Sequence, residues 1–198
     1  MKAALLLSGG MDSIALAYWK RPDLAVTIDY GQRPAEAEVE AARGVCNALG
    51  IEHEIVRVDC SALGSGDLAG TPPLAIAAVP EWWPYRNQLL ITLAAARVLG
   101  RGFDSILLGT VASDGTHVDG RKAFIESLCI LMEMQEGHIR VEAPAIGLSS
   151  VQLIQKSEIP ISILAWAHSC HIADFACGYC RGCRKHFETT RDLGLAPY

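Results

Sequence analysis

Residues 5–13 read Leu5-Leu6-Leu7-Ser8-Gly9-Gly10-Met11-Asp12-Ser13, a short apolar run that meets two glycines and then a helical pattern. Glycines let a backbone turn sharply and approach a ligand closely. The helix that follows presents unpaired N–H groups and the positive end of its dipole. The backbone of Leu7, Gly9, Gly10 and Met11, with the hydroxyls of Ser8 and Ser13, then forms a nest for phosphate oxygens. Asp12 can cap the helix or help to hold Mg²⁺ through water. The loop has no lysine of the GxxxxGK[ST] kind, and it is not GxGxxG. Grip through backbone and hydroxyls alone suits a reaction in which pyrophosphate leaves. The plainer alternative is a strand-turn-helix corner with Ser and Asp as caps.

A second group of chemically able residues lies near the other end. Cys170, Cys177, Cys180 and Cys183 are four of seven cysteines, spaced C-x6-C-x2-C-x2-C. CxxC turns let two sulfurs face one tetrahedral Zn²⁺. A secreted disulfide scaffold would spread its cysteines more evenly. A redox dithiol and an iron–sulfur cluster are the other readings. Gly178 and Gly182 relieve the tight turns, and Arg181, Arg184 and Lys185 partly offset the charge of a four-thiolate centre. Four protein ligands leave no open position, so the segment 168–186 reads as structural. His168, His171 and His186 flank it as packing or outer-sphere residues. Cys46 and Cys129 lie in helical patterns and read as buried small hydrophobes.

These residues need a scaffold, and 198 residues supply one domain with a sizeable core. Hydrophobic residues make up 51% and charged residues 20%, which is a globular balance. A net charge of −5 gives no general basic footprint for nucleic acid. The apolar run at the start is too short for a secretion signal or a membrane span, so a cytoplasmic protein is expected. Strand patterns at 3–7, 24–28, 53–58, 105–108 and 139–142 alternate with helical patterns at 12–20, 34–49, 86–99, 122–135 and 151–157. That alternation predicts an α/β fold, a doubly wound and mostly parallel sheet. Its ligands belong at the carboxyl ends of the strands. The loops 8–13, 29–33 and 109–121 all follow strands and should gather there. Residues 59–83 read as an ordered excursion or lid, with Trp82 and Trp83 exposed on an interface or on that lid.

SGGMDS resembles the signature of the PP-loop ATP pyrophosphatases. That resemblance implies an adenine nucleotide alpha hydrolase-like fold and attack of an acid on the α-phosphate of ATP. Together with the cysteine ending, the chain resembles the 7-cyano-7-deazaguanine synthase (QueC) family. Asp29-Tyr30-Gly31-Gln32-Arg33 is similar to its DYGQRH segment, with Pro34 in place of His. Pro84-Tyr85-Arg86-Asn87 is similar to VPxRN, and Gly109 with Asp114 to GxxxxD. Ser169-Cys170 and Cys177-Gly178-Tyr179-Cys180-Arg181-Gly182-Cys183 resemble SCY…CGxCxxC. The family turns 7-carboxy-7-deazaguanine into a nitrile with ATP and ammonia, in the pathway of queuosine-type bases. The resemblance implies ATP, Mg²⁺ and Zn²⁺ as cofactors. It implies nucleotide contacts from the 7–13 loop with Asp29, Gln32 and Arg33. Catalytic roles would fall to Asp12, Arg86, Asp119 and Arg121, and substrate contacts to Tyr30, Arg86, Asn87 and Asp114. For Asp114 and Asp119, turn chemistry is the competing role. The partners implied are a deazapurine carboxylic acid and ammonia, and a second copy of the chain as a homodimer.

The departures fall on substrate-side elements. The family's YPDCR segment appears as His117-Val118-Asp119-Gly120-Arg121, where Asp119 and Arg121 match. Its T-K-x-E helix start appears as Ser149-Ser150-Val151-Gln152, which lacks the lysine, and Lys156 is the candidate to reach in instead. His171 stands where the family has Tyr. Three alternatives therefore stand beside nitrile synthesis. One is a divergent enzyme that stops at the amide or joins the acid to another amine, on a protein partner included. Another is tRNA thiolation, which asks for a sulfur-carrying cysteine and a basic face. The last is a non-catalytic nucleotide-binding zinc module.

Overall fold

A computed structural model describes residues 1–195 of the chain. Five strands form one sheet in the order β3-β2-β1-β4-β5, and every neighbouring pair is parallel. They are β1 (Ala3–Leu6), β2 (Leu24–Asp29), β3 (Glu52–Arg57), β4 (Ser105–Leu108) and β5 (Arg140–Glu142). The central strands are nearly all apolar because both faces are covered. Along β1 and β2 the side chains alternate between two cores. Ala4, Leu24, Val26 and Ile28 face one, with Ile106, Leu108 and Val141. Leu5, Leu7, Ala25 and Leu107 face the other.

Helices α1 (Met11–Lys20), α2 (Ala35–Leu49), α5 (Ser150–Ser157) and α6 (Ile161–Leu164) cover the second face. Helices α3 (Arg86–Val98) and α4 (Lys122–Glu133) cover the first. Local chemistry ends them as expected: Gly50 closes α2 in the left-handed region at φ 67°. Ser149 and Gln152 form a reciprocal capping box at the head of α5. A last helix, α7 (Arg181–Asp192), begins inside the cysteine cluster with Cys180 as its N-cap. Among the described residues no helix is long and apolar enough to cross a membrane.

The predicted strands and helices are all present within a residue or two. Helix α7 was not anticipated. Its residues are RGCRKHFETTRD, a polar run without an apolar stripe, so periodicity does not reveal it. The expectation for Trp83 is corrected. It is 2% exposed, because its ring meets Tyr30 edge-on at 4.9 Å between centroids and seats residues 59–83 on the core beside Leu68. That segment is tied down: Asp67 N–H donates to Pro80 O at 2.8 Å, and Arg33 N–H to Leu68 O at 2.8 Å.

The strand order reverses between β1 and β4, so their connections leave in opposite directions and open a crevice at the carboxyl edge. Gly109 makes that crevice narrow. A Cβ there would sit 2.8 Å from Ser13 Cα and 2.9 Å from Ser13 N. Gly109→Ala must push β4 away from the first turn of α1. Its expected cost is about 1–3 kcal/mol, read as a lower midpoint of thermal unfolding; an unchanged midpoint contradicts this packing.

Candidate active site and metal centre

The glycine loop of residues 7–13 runs from β1 into α1. Gly9 has φ 77°, and a Cβ on it would come within 2.6 Å of Glu38 O. Only glycine fits that left-handed turn against α2. Ser8 and Ser13 hydroxyls lie 3.2 Å apart, and Ser13 Oγ donates to Gly10 O at 2.9 Å. Gly10 is the N-cap of α1, and no side chain caps the helix. From the far end of the chain, His168 N–H donates to Gly9 O at 2.9 Å and pins the loop. Leu7 and Met11 are buried and anchor it to the second core.

The loop after β2 forms a neighbouring wall. Asp29 Oδ1 accepts from Gly31 N–H at 3.2 Å, and its other oxygen lies 3.6 Å from Arg57 Nε. Gln32 is buried and its amide is used internally. It accepts from Tyr30 N–H at 2.8 Å and donates to Glu38 Oε2 at 2.7 Å and Ile28 O at 3.3 Å. The Arg33 side chain is exposed. Tyr30 is buried, and its hydroxyl and Glu38 both interact with the Arg86 guanidinium. Burial lifts the Glu38 carboxyl to about 7, against the hydrogen bond from Gln32 and the charge of Arg86.

Arg86 and Asn87 open α3, behind Tyr85, a non-glycine residue at φ 55°. Left-handed backbone in such a residue stores strain that the surroundings must hold. Asp119 does so: its Oδ2 accepts from Asn87 N–H at 3.1 Å, and Asn87 Nδ2 donates back to Asp119 O at 3.2 Å. Asp119 therefore caps α3, and its charge also acts on Arg86. Asp114 combines turn and site roles. One oxygen accepts from Val111 N–H at 3.0 Å, and the other faces the crevice. Arg121 is exposed and donates through Nε to Gly115 O at 3.0 Å, bracing the 109–121 loop.

The sequence reading missed the cations that close the crevice. Lys185 of α7 lies 2.8 Å from Asp12 Oδ2 and 3.1 Å from Asp114 Oδ1. Burial acts to lower its pKa, but the two carboxylates prevail and raise it. Asp12 itself is raised, chiefly by burial, with Lys185 opposing. Its Oδ1 is buried without a hydrogen-bond partner. Ser150 acts on the same carboxylate, although its hydroxyl closes no hydrogen bond. One turn earlier on α7, Arg181 holds Glu81 Oε1 at 2.8 Å and Thr116 Oγ1 at 3.1 Å. Burial would raise Glu81, but His117 and Arg181 outweigh it and hold the carboxyl at about 2. Lys156, the lysine expected to reach in, instead lies 4.8 Å from the centre of the Trp19 ring. The spacing of Arg181 and Lys185 was a usable signal, because four residues apart is one helix face.

The four expected cysteines converge. Their sulfurs all lie within 4.8 Å of one another, with Cys177 and Cys183 at 3.8 Å and Cys170 and Cys180 at 4.0 Å. A tetrahedral ion with bonds of about 2.3 Å to sulfur sets its ligands about 3.8 Å apart. The cluster therefore fits zinc and can hold a metal. Backbone N–H groups of His171, Cys180 and Cys183 donate to sulfurs at 3.3–3.4 Å, which stabilises thiolates. Histidine contributes no ligand to the cluster. His171 packs on Gly182, where a Cβ would lie 2.7 Å from its Nε2.

With that geometry in place, comparison with known proteins becomes specific. The family model "Queuosine biosynthesis protein QueC" matches residues 2–193. The chain belongs to the QueC family. A 7-cyano-7-deazaguanine synthase of Methanosarcina mazei is 28% identical across 98% of this chain and 96% of its own length. Those of a Nitratiruptor species and of Thiobacillus denitrificans are each 33% identical. They cover 100% and 98% of this chain and 99% and 95% of their own lengths. As a QueC-family member the chain is an enzyme of the ligase type.

Two outcomes follow from this geometry. Cys183→Ala removes a metal donor from the first turn of α7 while leaving the backbone N–H that Cys180 Sγ caps, so the variant should lose its bound metal and unfold at lower temperature. Elemental analysis with thermal unfolding checks it, and full metal content in the variant would refute the site. Glu38 has a raised pKa in the folded state, so its contribution to stability is complete below about 4.5 and is lost as pH rises through about 7. Glu38→Gln keeps the acceptor for Gln32 and should flatten the stability profile across that window, a change on the order of 3 kcal/mol. Denaturant midpoints measured from pH 5 to 8 test it, and parallel profiles for both proteins count against a buried, proton-sensitive Glu38.

Proposed function

We propose that this protein adenylates 7-carboxy-7-deazaguanine with ATP and uses ammonia to make first the amide and then 7-cyano-7-deazaguanine. The observation that carries the reading is the uncapped N-terminus of α1 at the β1–β4 switch point in a QueC-family chain. The substrate carboxylate attacks the α-phosphorus, its oxygen bonds to AMP, and pyrophosphate departs. Ammonia adds to the acyl carbon and AMP leaves with the carboxylate oxygen. The amide oxygen then attacks a second ATP, and loss of that AMP with two protons leaves the nitrile.

The chain's own groups suit these steps. Ser8, Ser13 and the Gly9–Met11 backbone would take the departing pyrophosphate, as donors already in place need no reorganisation. Arg86 would neutralise the substrate carboxylate beside Tyr30, and Asn87, fixed by Asp119, would read a purine-like edge. Asp29, Gln32 and Arg33 would shape and line the nucleotide side, and Arg121 would brace the loop that bears Asp114. Mg²⁺ fits the crevice because Asp12 Oδ1 is buried and unpartnered, with Asp114 across from it; bound there, it neutralises phosphate charge. Zinc at the four cysteines supplies folding energy rather than chemistry.

One observation favours a second reading. Ser150 occupies the head of α5 beside Asp12, where the resemblance calls for a lysine, and a weakened second activation would stop at the amide. Thiolation finds less support, since Cys46 and Cys60 are buried, Cys129 is half-buried and the other four cluster on the metal site. Burial pushes Cys46 up to about 12, far from a reactive thiolate.

The test is incubation of metal-replete protein with the deazapurine acid, Mg·ATP and ammonium, read by phosphorus NMR and product mass. AMP and pyrophosphate with the nitrile mass are expected, two AMP for each nitrile. The amide mass alone selects the second reading. Release of ADP and phosphate, or no affinity for nucleotide, would refute both.

A further inference from the structure

Arg181 and Lys185 stand four residues apart on one face of α7, and both carry their charge from the cysteine cluster to acidic groups elsewhere in the chain, Arg181 to Glu81 and Lys185 to Asp12. The hairpin is fixed from behind. Cys180 is at once a metal donor and the N-cap of α7, accepting from Cys183 N–H at 3.4 Å. Gly182 is pressed against Ser169 O, so closely that a Cβ would fall 1.9 Å from it. The position of Lys185 is therefore set by the cysteine cluster.

The crevice has a charge problem. Asp12 and Asp114 are the carboxylates that Lys185 meets there, and both would repel a triphosphate at short range. The phosphate loop carries no lysine of its own. Lys185 is the ammonium that meets both carboxylates, at 2.8 and 3.1 Å. An ammonium has three donors; two are taken by Asp12 and Asp114, and one is left. Lys185 is also only partly buried, with 36% of its side chain exposed, so an incoming anion can reach it. We propose that Lys185 is the phosphate-binding lysine of this enzyme, delivered to the phosphate loop by the metal-held hairpin rather than by the loop itself. It neutralises the carboxylate pair in the free enzyme and donates to a phosphate oxygen of the bound nucleotide or of pyrophosphate. This rests on the nucleotide site proposed above.

A lysine that merely ties the hairpin to the core would affect stability and not affinity, so affinity decides. Pyrophosphate and a non-hydrolysable ATP analogue are titrated calorimetrically into metal-replete wild type, Lys185→Gln and Lys185→Arg. Metal content and thermal midpoint are measured on each. Lys185→Gln should weaken both ligands about 10- to 100-fold, the loss of one charge-assisted hydrogen bond, and Lys185→Arg should recover most of it. Equal affinity in Lys185→Gln, or tighter binding, overturns the proposal while leaving the nucleotide site standing. Absence of binding to wild type overturns both. Should Lys185→Gln not fold, the wild type still answers. It has five lysines, and the ¹⁵Nζ signal that Lys185→Arg removes must shift when pyrophosphate is added. A signal that stays in place overturns the proposal.

Discussion

The pairing of β1 with β2 on one side and β4 on the other is the constraint on which the rest depends. Both pairings are parallel, so each strand must be followed by a crossover. The crossovers leave β1 and β4 toward opposite faces, because α1 packs in one core and α4 in the other. The crevice is thus a topological consequence of strand order, and the glycines at its mouth are conditions for closing it. Gly9 lets the chain turn against α2, and Gly109 lets β4 end against α1. Loop 8–13 has chemical meaning only because these contacts hold its backbone N–H groups in one direction.

Charge then decides how the site is assembled. Acidic groups gather along the crevice: Asp12, Asp114 and Glu81 come from α1, from the loop after β4 and from the long excursion before α3. Each meets a cation of α7. Segments distant in sequence are therefore joined by ion pairs that are partly shielded from water, where such pairs count for more than on an open surface. Removing one partner of a buried pair leaves an uncompensated charge. The crevice and the metal hairpin are accordingly a single electrostatic unit, although 173 residues separate Asp12 from Lys185.

How much of this was legible in the sequence follows from the range of the interactions involved. Strands 3–7 and 105–108, helix 34–49 with Gly50, and the SGGMDS loop are written in local patterns of apolarity and turn chemistry. The cysteine cluster is equally local, and its four sulfurs meet as the spacing implied. What was not legible is set by long-range contact. Trp83 was expected exposed, on an interface or on the 59–83 excursion, yet Tyr30 and Leu68 bury it. Lys185 looked like a counter-charge for the metal, because nothing within the segment announces Asp12. From resemblance Asp119 was expected to be catalytic and Gln32 to contact nucleotide, and the geometry gives each a positioning task.

The place of the cysteine cluster beside the crevice has a physical reason. Helix α7 is polar along nearly its whole length, and a 12-residue helix of that kind is marginal by itself. Nucleation is the expensive step, since a first turn fixes several dihedrals for one hydrogen bond. A metal held by Cys180 and Cys183 would fix that turn outright, and Cys180 Sγ supplies the cap. Once the first turn stands, Arg181 and Lys185 are aimed without any apolar stripe having to dock. The chain can therefore present an almost wholly polar helix to a charged site, which a helix stabilised by hydrophobic packing could not do without burying that face. A metal at the four cysteines would thus make an otherwise unstable arrangement of cations rigid at the edge of the crevice.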